Sequence, residues 1–146
     1  MPIYIRVSKP ERIHKLLIEF EECFPDLIER VGSLHQFSNK LSKASIVIVM
    51  KCEDEVVGLC SYYSNDYQSY TGYISLIGIK EEFRGNGNGK KLLNYVIDDC
   101  RKCGMQQIKL EVNADNNRAI SFYVNNGFQI ESKAREESYY MSRLLY

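Results

Sequence analysis

The 146-residue sequence lacks several features that define common functional classes. Its formal net charge at pH 7 is zero, because 19 Lys and Arg residues balance 19 Asp and Glu residues. Nucleic acids and anionic membranes bind basic surfaces, so this balance argues against either as the main partner. No apolar run approaches the length of a membrane span, and the segment Met1–Arg6 lacks the layout of a signal peptide. We therefore expect a cytoplasmic protein with no nucleic-acid or membrane partner.

Histidine is scarce, and the cysteines are too few and wrongly spaced for a disulfide framework or a zinc site. The five cysteines are an odd number without regular spacing, which is typical of a reducing compartment. Cys100 and Cys103 form a C-x-x-C pair, but zinc would require a second pair or histidines, and only His14 and His35 exist. We expect no metal, and we expect Cys100 to pack inward on a helix that ends at Gly104.

Length and patterning predict one domain over residues 1–146, in the α+β class. An apolar content of 45% and a charged content of 26% are ordinary for a globular chain with a sizeable core. Alternating or β-branched runs predict seven strands, at residues 3–7, 45–51, 56–63, 70–79, 107–112, 128–132 and 138–145. About four helices are predicted, at residues 8 to 24, 33 to 44, 87 to 103 and 116 to 126. We interpret Ser8 as the start of a capping box for the first helix.

One stretch stands out, in which a predicted strand passes through a glycine-rich turn into a helix. Residues 73–79 suit a buried strand, and Gly85, Gly87 and Gly89 then follow at alternate positions. The next helix carries an apolar stripe from Leu92 to Cys100. Glycine accepts positive φ and leaves backbone bare, while the first turn of a helix has free N–H groups. This stretch therefore indicates an anion site, most naturally for a phosphate or diphosphate.

Two well-known phosphate loops do not fit the stretch. A Walker loop needs a glycine five residues before the Gly-Lys pair and Ser or Thr after the lysine, but Arg84 and Lys91 stand there. The dinucleotide fingerprint G-x-G-x-x-G fails because the three glycines are evenly spaced. A surface turn with glycines for flexibility is the alternative interpretation of these residues.

Two ordered motifs resemble those of the GNAT superfamily of acyl-CoA-dependent N-acyltransferases. The run Arg84-x-x-Gly87-x-Gly89 is similar to its motif A. The second half of the chain also resembles motif B, through Val112, Asn116, Arg118, Ala119, Ile120, Tyr123, Gly127 and Phe128. The resemblance covers residues 57 to 128 and implies the GNAT fold. In that fold a mixed, mostly antiparallel sheet of six to seven strands is flanked by helices, and strands β4 and β5 splay apart at a bulge where the cofactor enters.

The resemblance implies an acetyl-CoA-dependent N-acetyltransferase that acts by direct attack of an amine on the thioester. The implied catalytic residues are Ile77, whose N–H would stabilise the oxyanion, and Tyr123, which would protonate the leaving thiolate. The implied contacts with acetyl-CoA are Ile77, Gly78, Ile79, Arg84, Gly85, Asn86, Gly87, Asn88, Gly89, Lys90, Asn116, Ala119 and Tyr123. Among these, the loop amides would hold the diphosphate, and Asn116 would bond the pantetheine arm.

The general base and the acceptor are left open by the sequence. Relatives often place Glu or His on β4, where this chain has Tyr73 and Ser75. An ordered water chain or a carboxylate elsewhere in the chain is therefore needed, and Asp66 is a candidate for that carboxylate. The expected acceptor is the primary amine of a small molecule such as an amine, amino sugar or amino acid. A protein or peptide N-acetyltransferase and a non-catalytic acyl-CoA-binding module are the alternatives. We expect a monomer or a homodimer.

Overall fold

The computed structural model describes all 146 residues, as seven strands and five helices. The strands are β1 (Ile3–Arg6), β2 (Ile46–Cys52), β3 (Glu55–Tyr63), β4 (Thr71–Ile79), β5 (Gln107–Asn113), β6 (Gln129–Arg135) and β7 (Ser138–Leu144). The helices are α1 (Pro10–Glu19), α2 (Leu27–Val31), α3 (Leu34–Ala44), α4 (Asn88–Lys102) and α5 (Asn117–Asn125). Two short 3-10 turns lie at Glu21–Cys23 and Glu81–Phe83. None of the helices combines the length and apolar character needed to cross a lipid bilayer.

All seven strands form a single open sheet in the order β1-β2-β3-β4-β5-β7-β6. The pair β4 and β5 is parallel, and all other neighbours are antiparallel. The predicted mixed, mostly antiparallel α+β sheet is therefore confirmed. The structure has one helix more than the four that were predicted. The additional helix is α2, which is short and lies in the region after Pro25, where the sequence pattern was least informative.

The hydrophobic core consists of two layers, one on each face of the sheet. One layer packs α1 and α3 against the sheet, and the other packs α4 and α5 against the opposite face. Strand β2 contributes to both layers, because Val47 and Val49 face α1 while Ile48 and Met50 face α4. A strand buried on both faces reads as a continuous apolar run, which is how residues 46–50 appear in the sequence.

Helix α4 matches its predicted pattern closely. Its five stripe residues are all buried against the sheet: Leu92, Leu93, Val96, Ile97 and Cys100. The helix ends at Lys102, the half-buried Cys103 caps it, and the next residue, Gly104, adopts a φ of 88°. The expected inward packing of Cys100 and the helix end at Gly104 are both confirmed.

The predicted capping box at Ser8 is wrong. Lys9 is the residue that precedes α1, no side chain caps the helix, and Pro10 occupies the first turn. The N–H groups of Arg12 and Ile13 bond the carbonyl of Lys9 instead. Ser8 makes a tertiary contact, since its carbonyl accepts a hydrogen bond from the Ser42 hydroxyl on α3. The segment before α1 is thus held by packing onto α3 and not by a local cap.

Candidate active site

The parallel pairing of β4 with β5 ends halfway along the two strands. The last pair is Ile74 opposite Leu110, although β4 continues to Ile79 and β5 to Asn113. The next residue on β4, Ser75, is skipped in the register with β3, so β4 is bulged at this point. The two strands therefore separate beyond the bulge and leave a cleft between them.

The backbone of β4 directs the amide of Ile77 into this cleft. In an antiparallel pair, successive residues point their backbone groups alternately towards the partner strand and away from it. Lys80 donates its N–H to the carbonyl of Val57 on β3 at 2.9 Å. By alternation, Ile77 and Ile79 point away from β3. The carbonyl of Ile79 accordingly accepts a hydrogen bond from Arg84 Nε at 2.8 Å, on the cleft side.

The glycine-rich loop after β4 presents bare backbone beside the cleft. Gly85 and Gly87 have φ values of 87° and 85°, which favour glycine over any L-residue. A Cβ atom at either position would meet nothing within 4 Å, so it is the backbone conformation that requires glycine there. The first intrahelical bond of α4 joins the N–H of Lys91 to the carbonyl of Gly87. The amides just before Lys91 are therefore free to bind an anion.

Two side chains fix the shape of this loop. Asn88 is buried and donates from Nδ2 to the carbonyl of Phe83 at 3.0 Å. The guanidinium of Arg84 folds back over the end of β4, where it also lies 3.5 Å from the Sγ of Cys23. Asn88 is thus engaged within the protein, while Arg84 lies at the rim of the cleft.

Gly78 on β4 is required by a close approach of the segment after α1. A Cβ atom at this position would lie 2.9 Å from the Cβ of Cys23 and 3.2 Å from the ring of Phe24. The segment that carries these two residues therefore packs directly on β4 and forms one wall of the cleft.

Helix α5 forms the opposite wall. Asn116 caps it, because its Oδ1 accepts a hydrogen bond from the N–H of Ala119 at 3.2 Å. Its Nδ2 remains available to a ligand. Tyr123 lies two turns further along, with its ring packed against Phe122 and Phe128 at centroid separations of 5.4 and 5.5 Å. The ring is thus held rigidly by its aromatic neighbours.

The hydroxyl of Tyr123 is held protonated and points to open space. Only 9% of the residue is exposed, and burial raises the pKa of this phenol well above its ordinary value, with a smaller contribution from Cys60. No hydrogen bond to the hydroxyl exists in the protein, and no buried side-chain oxygen lacks a partner. The hydroxyl must therefore reach the accessible surface of the cleft as a proton donor.

The cleft consists of two adjoining cavities. The first has a volume of about 590 Å³ and is called here the cofactor-side cavity. Eleven of the thirteen predicted cofactor residues line it: Ile77, Gly78, Ile79, Arg84, Gly85, Gly87, Gly89, Lys90, Asn116, Ala119 and Tyr123. Asn86 and Asn88 do not line it. Glu22, Cys23, Arg118 and Phe122 line it although the sequence analysis did not select them.

The second cavity has a volume of about 300 Å³ and is called here the acceptor-side cavity. It shares five lining residues with the first: Cys23, Ile77, Asn116, Ala119 and Tyr123. The remainder of its wall comes from the α1–α2 region, from the middle of β4, from the second half of β5, and from the end of β6. The Ile77 amide and the Tyr123 hydroxyl thus lie where the two cavities meet.

Comparison with known proteins identifies the family. The model of the acetyltransferase (GNAT) family matches residues 11–128. This chain is a member of the GNAT acetyltransferase family.

Individual relatives of this GNAT chain include protein N-alpha-acetyltransferases. N-alpha-acetyltransferase 50 of Danio rerio is 40% identical over 126 residues, which cover 77% of this chain and 75% of the relative. N-alpha-acetyltransferase 30 of Schizosaccharomyces pombe is 42% identical over 57 residues, or 39% of this chain. The matched part spans only 38% of that relative's length, and 31% and 32% of two others.

The fold is shared with a solved GNAT structure. The PaiA N-acetyltransferase from Thermoplasma acidophilum, solved in complex with coenzyme A, superposes with a TM-score of 0.77. The alignment covers 99% of each chain at 17% sequence identity. At this identity the likeness establishes the fold alone.

The acceptor-side cavity of this GNAT chain is lined by four charged side chains. Arg135 on β6 donates from Nε to Glu111 on β5 at 2.7 Å, and the Ser138 hydroxyl donates to the same carboxylate at 2.6 Å. Burial raises the pKa of Glu111, but the hydrogen bonds from Ser138 and Arg135 outweigh it, so the pKa lies below its usual value. Asp26 and Arg30, from the α1–α2 region, complete the set.

None of the β4 and turn residues weighed as a general base is well suited to that role. Asp66 lines neither cavity, and its carboxylate accepts hydrogen bonds from Ser69 and Gln68 within its own turn. The Ser75 hydroxyl is bonded to Ser61. Burial raises the pKa of Tyr73, which moves it further from acting as a base near neutral pH.

The charged residues of the acceptor-side cavity were missed by the sequence analysis. The alternation of β5 could have indicated one of them. Because Ile108, Leu110 and Val112 are buried on the α4 face, Glu111 must face the opposite side, where the acceptor-side cavity lies. Arg30 and Arg135 carry no comparable local signal, since only the tertiary fold brings α2 and β6 to the same cavity.

Proposed function

We propose that this protein transfers the acetyl group of acetyl-CoA to a primary amine. One observation carries the proposal. Where β4 and β5 separate, a free strand amide at Ile77 and a protonated phenol at Tyr123 line the junction of the two cavities. Bare helix-terminal amides lie beside the same cleft, around Gly87. An oxyanion donor, a proton donor and an anion site are what acyl transfer from a thioester requires.

The glycine-rich loop fits the diphosphate of coenzyme A. The space in which Cβ atoms of Gly85 and Gly87 would stand is open, so an anion could approach the loop amides closely. Arg84 and Lys90 line the same cavity and add positive charge. The backbone groups of Ile77 and the N–H of Ile79, which point away from β3, would pair with the pantetheine arm. Asn116 Nδ2 would be a further donor. When bound, acetyl-CoA would supply the activated acyl group.

The residues at the junction support a direct transfer. The amine nitrogen would bond to the carbonyl carbon of the thioester while the N–H of Ile77 donates to the oxygen that gains negative charge. As the carbon–sulfur bond breaks, the hydroxyl of Tyr123 would give its proton to the departing sulfur. The nitrogen would lose its proton to water in the acceptor-side cavity, and Tyr123 would be reprotonated from the same water.

Two acceptor classes have support. The acceptor-side cavity has a volume of about 300 Å³, at the small end of ligand sites, which suits the primary amine of a small molecule such as an amino acid or amino sugar. The α-amino group of a protein or peptide is the second candidate, and the N-alpha-acetyltransferase relatives favour it. In both classes the reacting group is a neutral primary amine.

The test combines binding with turnover. Titration calorimetry of the purified protein with acetyl-CoA should show saturable binding, and free thiol should appear when amines are added. The acceptor panel contains alkylamines, amino sugars, free amino acids and peptides with a free N-terminus. Binding without turnover of any acceptor would favour the non-catalytic acyl-CoA-binding module, and absence of acetyl-CoA binding would refute the proposal.

A further inference from the structure

Two opposite charges in the acceptor-side cavity have no partner within the protein. The four ion pairs of the chain involve neither Arg30 nor Asp26, and neither side chain takes part in a side-chain hydrogen bond. Both residues are exposed, and they stand one turn apart at α2. Each is therefore free to meet a complementary charge that a ligand brings into the cavity.

The other two charged groups in the cavity neutralise each other. Glu111 and Arg135 form a 2.7 Å ion pair in which Glu111 is largely buried, with 18% of its side chain exposed. Arg30 lies close enough to this carboxylate to influence its pKa across the cavity. Burial raises the pKa of Glu111, whereas the positive charge of Arg30 is one of the interactions that lower it. Arg30 is thus the cation in this cavity that is left to bind an anion.

Arg30 lies away from the reacting centre. It lines only the acceptor-side cavity, whereas Ile77 and Tyr123 line both cavities. An acceptor whose amine reaches Ile77 and Tyr123 would therefore extend its other end towards Arg30. A guanidinium matches a carboxylate because its two parallel N–H groups meet the two oxygens.

We infer that the acceptor is a primary amine that also carries a carboxylate, and that Arg30 binds this carboxylate. The inference rests on the proposed function and narrows its acceptor class. Asp26, one turn from Arg30, repels an anion that brings no positive charge. The pair therefore favours an acceptor that binds as a zwitterion over a simple anion, and the bound ammonium would lose a proton to water before the neutral amine reacts. The carboxylate belongs either to a free amino acid or to an acidic residue near a peptide N-terminus.

The test uses two matched pairs of acceptors. L-methionine and L-methioninamide differ in the α-carboxylate, and the capped dipeptides Met-Glu-amide and Met-Gln-amide differ in a side-chain carboxylate. Thiol release from acetyl-CoA gives kcat and KM for each. We expect the carboxylate member of at least one pair to have a KM about 10- to 100-fold lower, the usual effect of a charged hydrogen bond. The pair that shows the difference identifies the source of the carboxylate.

Substitution of Arg30 assigns the effect to this residue. In Arg30→Gln the KM of the carboxylate member should rise, so that the ratio between the two members approaches one, while Arg30→Lys should retain part of the preference. Arg12→Gln is the matched control, because Arg12 is also an exposed helical arginine without an ion pair and lines neither cavity. It should keep the wild-type ratio.

Several results would overturn the inference. The inference would be wrong if the KM values were equal within both pairs, or if the amides had the lower KM. It would also be wrong if the preference for the carboxylate survived in Arg30→Gln. Turnover of the amides without any carboxylate preference would leave the proposed function intact. Absence of turnover with all four probes would also overturn the inference, and calorimetry with acetyl-CoA would then show whether the proposed function falls with it.

Discussion

Tyr123 combines two properties that seldom coincide in a tyrosine side chain. Its ring is fixed between Phe122 and Phe128, while its hydroxyl has no partner in the protein and opens at the junction of the two cavities. Burial keeps the phenol protonated, because removal of the proton would place an anion in an apolar setting. A donor held in this way can protonate a leaving group without first being ionised.

At the residue scale we predict that Tyr123→Phe lowers kcat by at least about 100-fold, the usual contribution of a positioned general acid. The KM for acetyl-CoA should change little, because the aromatic packing is retained and the hydroxyl acts only as the sulfur departs. Steady-state thiol release measures both constants. Tyr95→Phe is the control, since Tyr95 stacks on Tyr4 outside both cavities. A wild-type kcat in Tyr123→Phe would contradict the assignment.

At the scale of single elements, α4 has a glycine with positive φ at each end. Gly87 precedes the helix with a φ of 85°, and Gly104 follows it with a φ of 88°. A Cβ at either position would meet nothing within 4 Å. The two glycines are therefore equivalent in backbone strain and in free space, and they differ in that only Gly87 lines the cofactor-side cavity.

We predict that Gly87→Ala and Gly104→Ala lower the free energy of unfolding by similar amounts, about 1–2 kcal/mol for a left-handed L-residue. Only Gly87→Ala should weaken acetyl-CoA binding, because its new methyl group enters the space beside the loop amides. Urea unfolding and calorimetry measure the two effects. Equal loss of binding in both variants would show that α4 acts through stability and not through the loop.

The elements that the sequence predicts well are those whose signal is local. The stripe of α4 repeats within one helix, and the two GNAT motifs each lie within a continuous run, so eleven of the thirteen predicted cofactor residues meet at one cavity. The start of α1 was predicted wrongly because packing between Ser8 and Ser42 decides it. Helix α2 was missed because a single turn has too little periodicity to detect.

At the scale of the whole molecule, several ionisable groups are buried in the core layer between the sheet and α4. Burial raises the pKa of Cys100 to about 12 from an ordinary value of 9.0. It also raises the pKa of Tyr62, whose hydroxyl donates to Asp99 at 2.7 Å, and the pKa of Cys60. Each of these groups must keep its proton in the folded state.

We predict that the protein loses stability as the pH rises from 9 to about 12. A group whose folded pKa is raised stabilises the native state fully below its unfolded pKa, and this contribution falls by up to about 1.4 kcal/mol per pH unit above it. Cys100→Ala should make the decline in the free energy of unfolding less steep. Urea titrations over this range measure the slope, and Cys103→Ala, at the half-buried end of α4, is the control. An unchanged slope in Cys100→Ala would refute the prediction.

The acceptor-side cavity shows what local patterns cannot predict. Its wall combines the α1–α2 segment, β4, β5 and β6, which are remote in sequence and meet only in the folded sheet. The separation of β4 and β5 creates the space, and the identity of the side chains around it follows from tertiary placement.

The two cavities are lined by different kinds of chemical group, and this difference has a consequence for changing the protein's specificity. The cofactor side depends chiefly on main-chain amides and on the conformation of a loop, which most side-chain replacements leave intact. The acceptor side is defined by side chains, and two of them, Arg30 and Asp26, are exposed, where substitutions usually change stability little. Under the proposed function, replacement of side chains in that wall alone should change which amines the protein accepts, while its acyl donor stays the same.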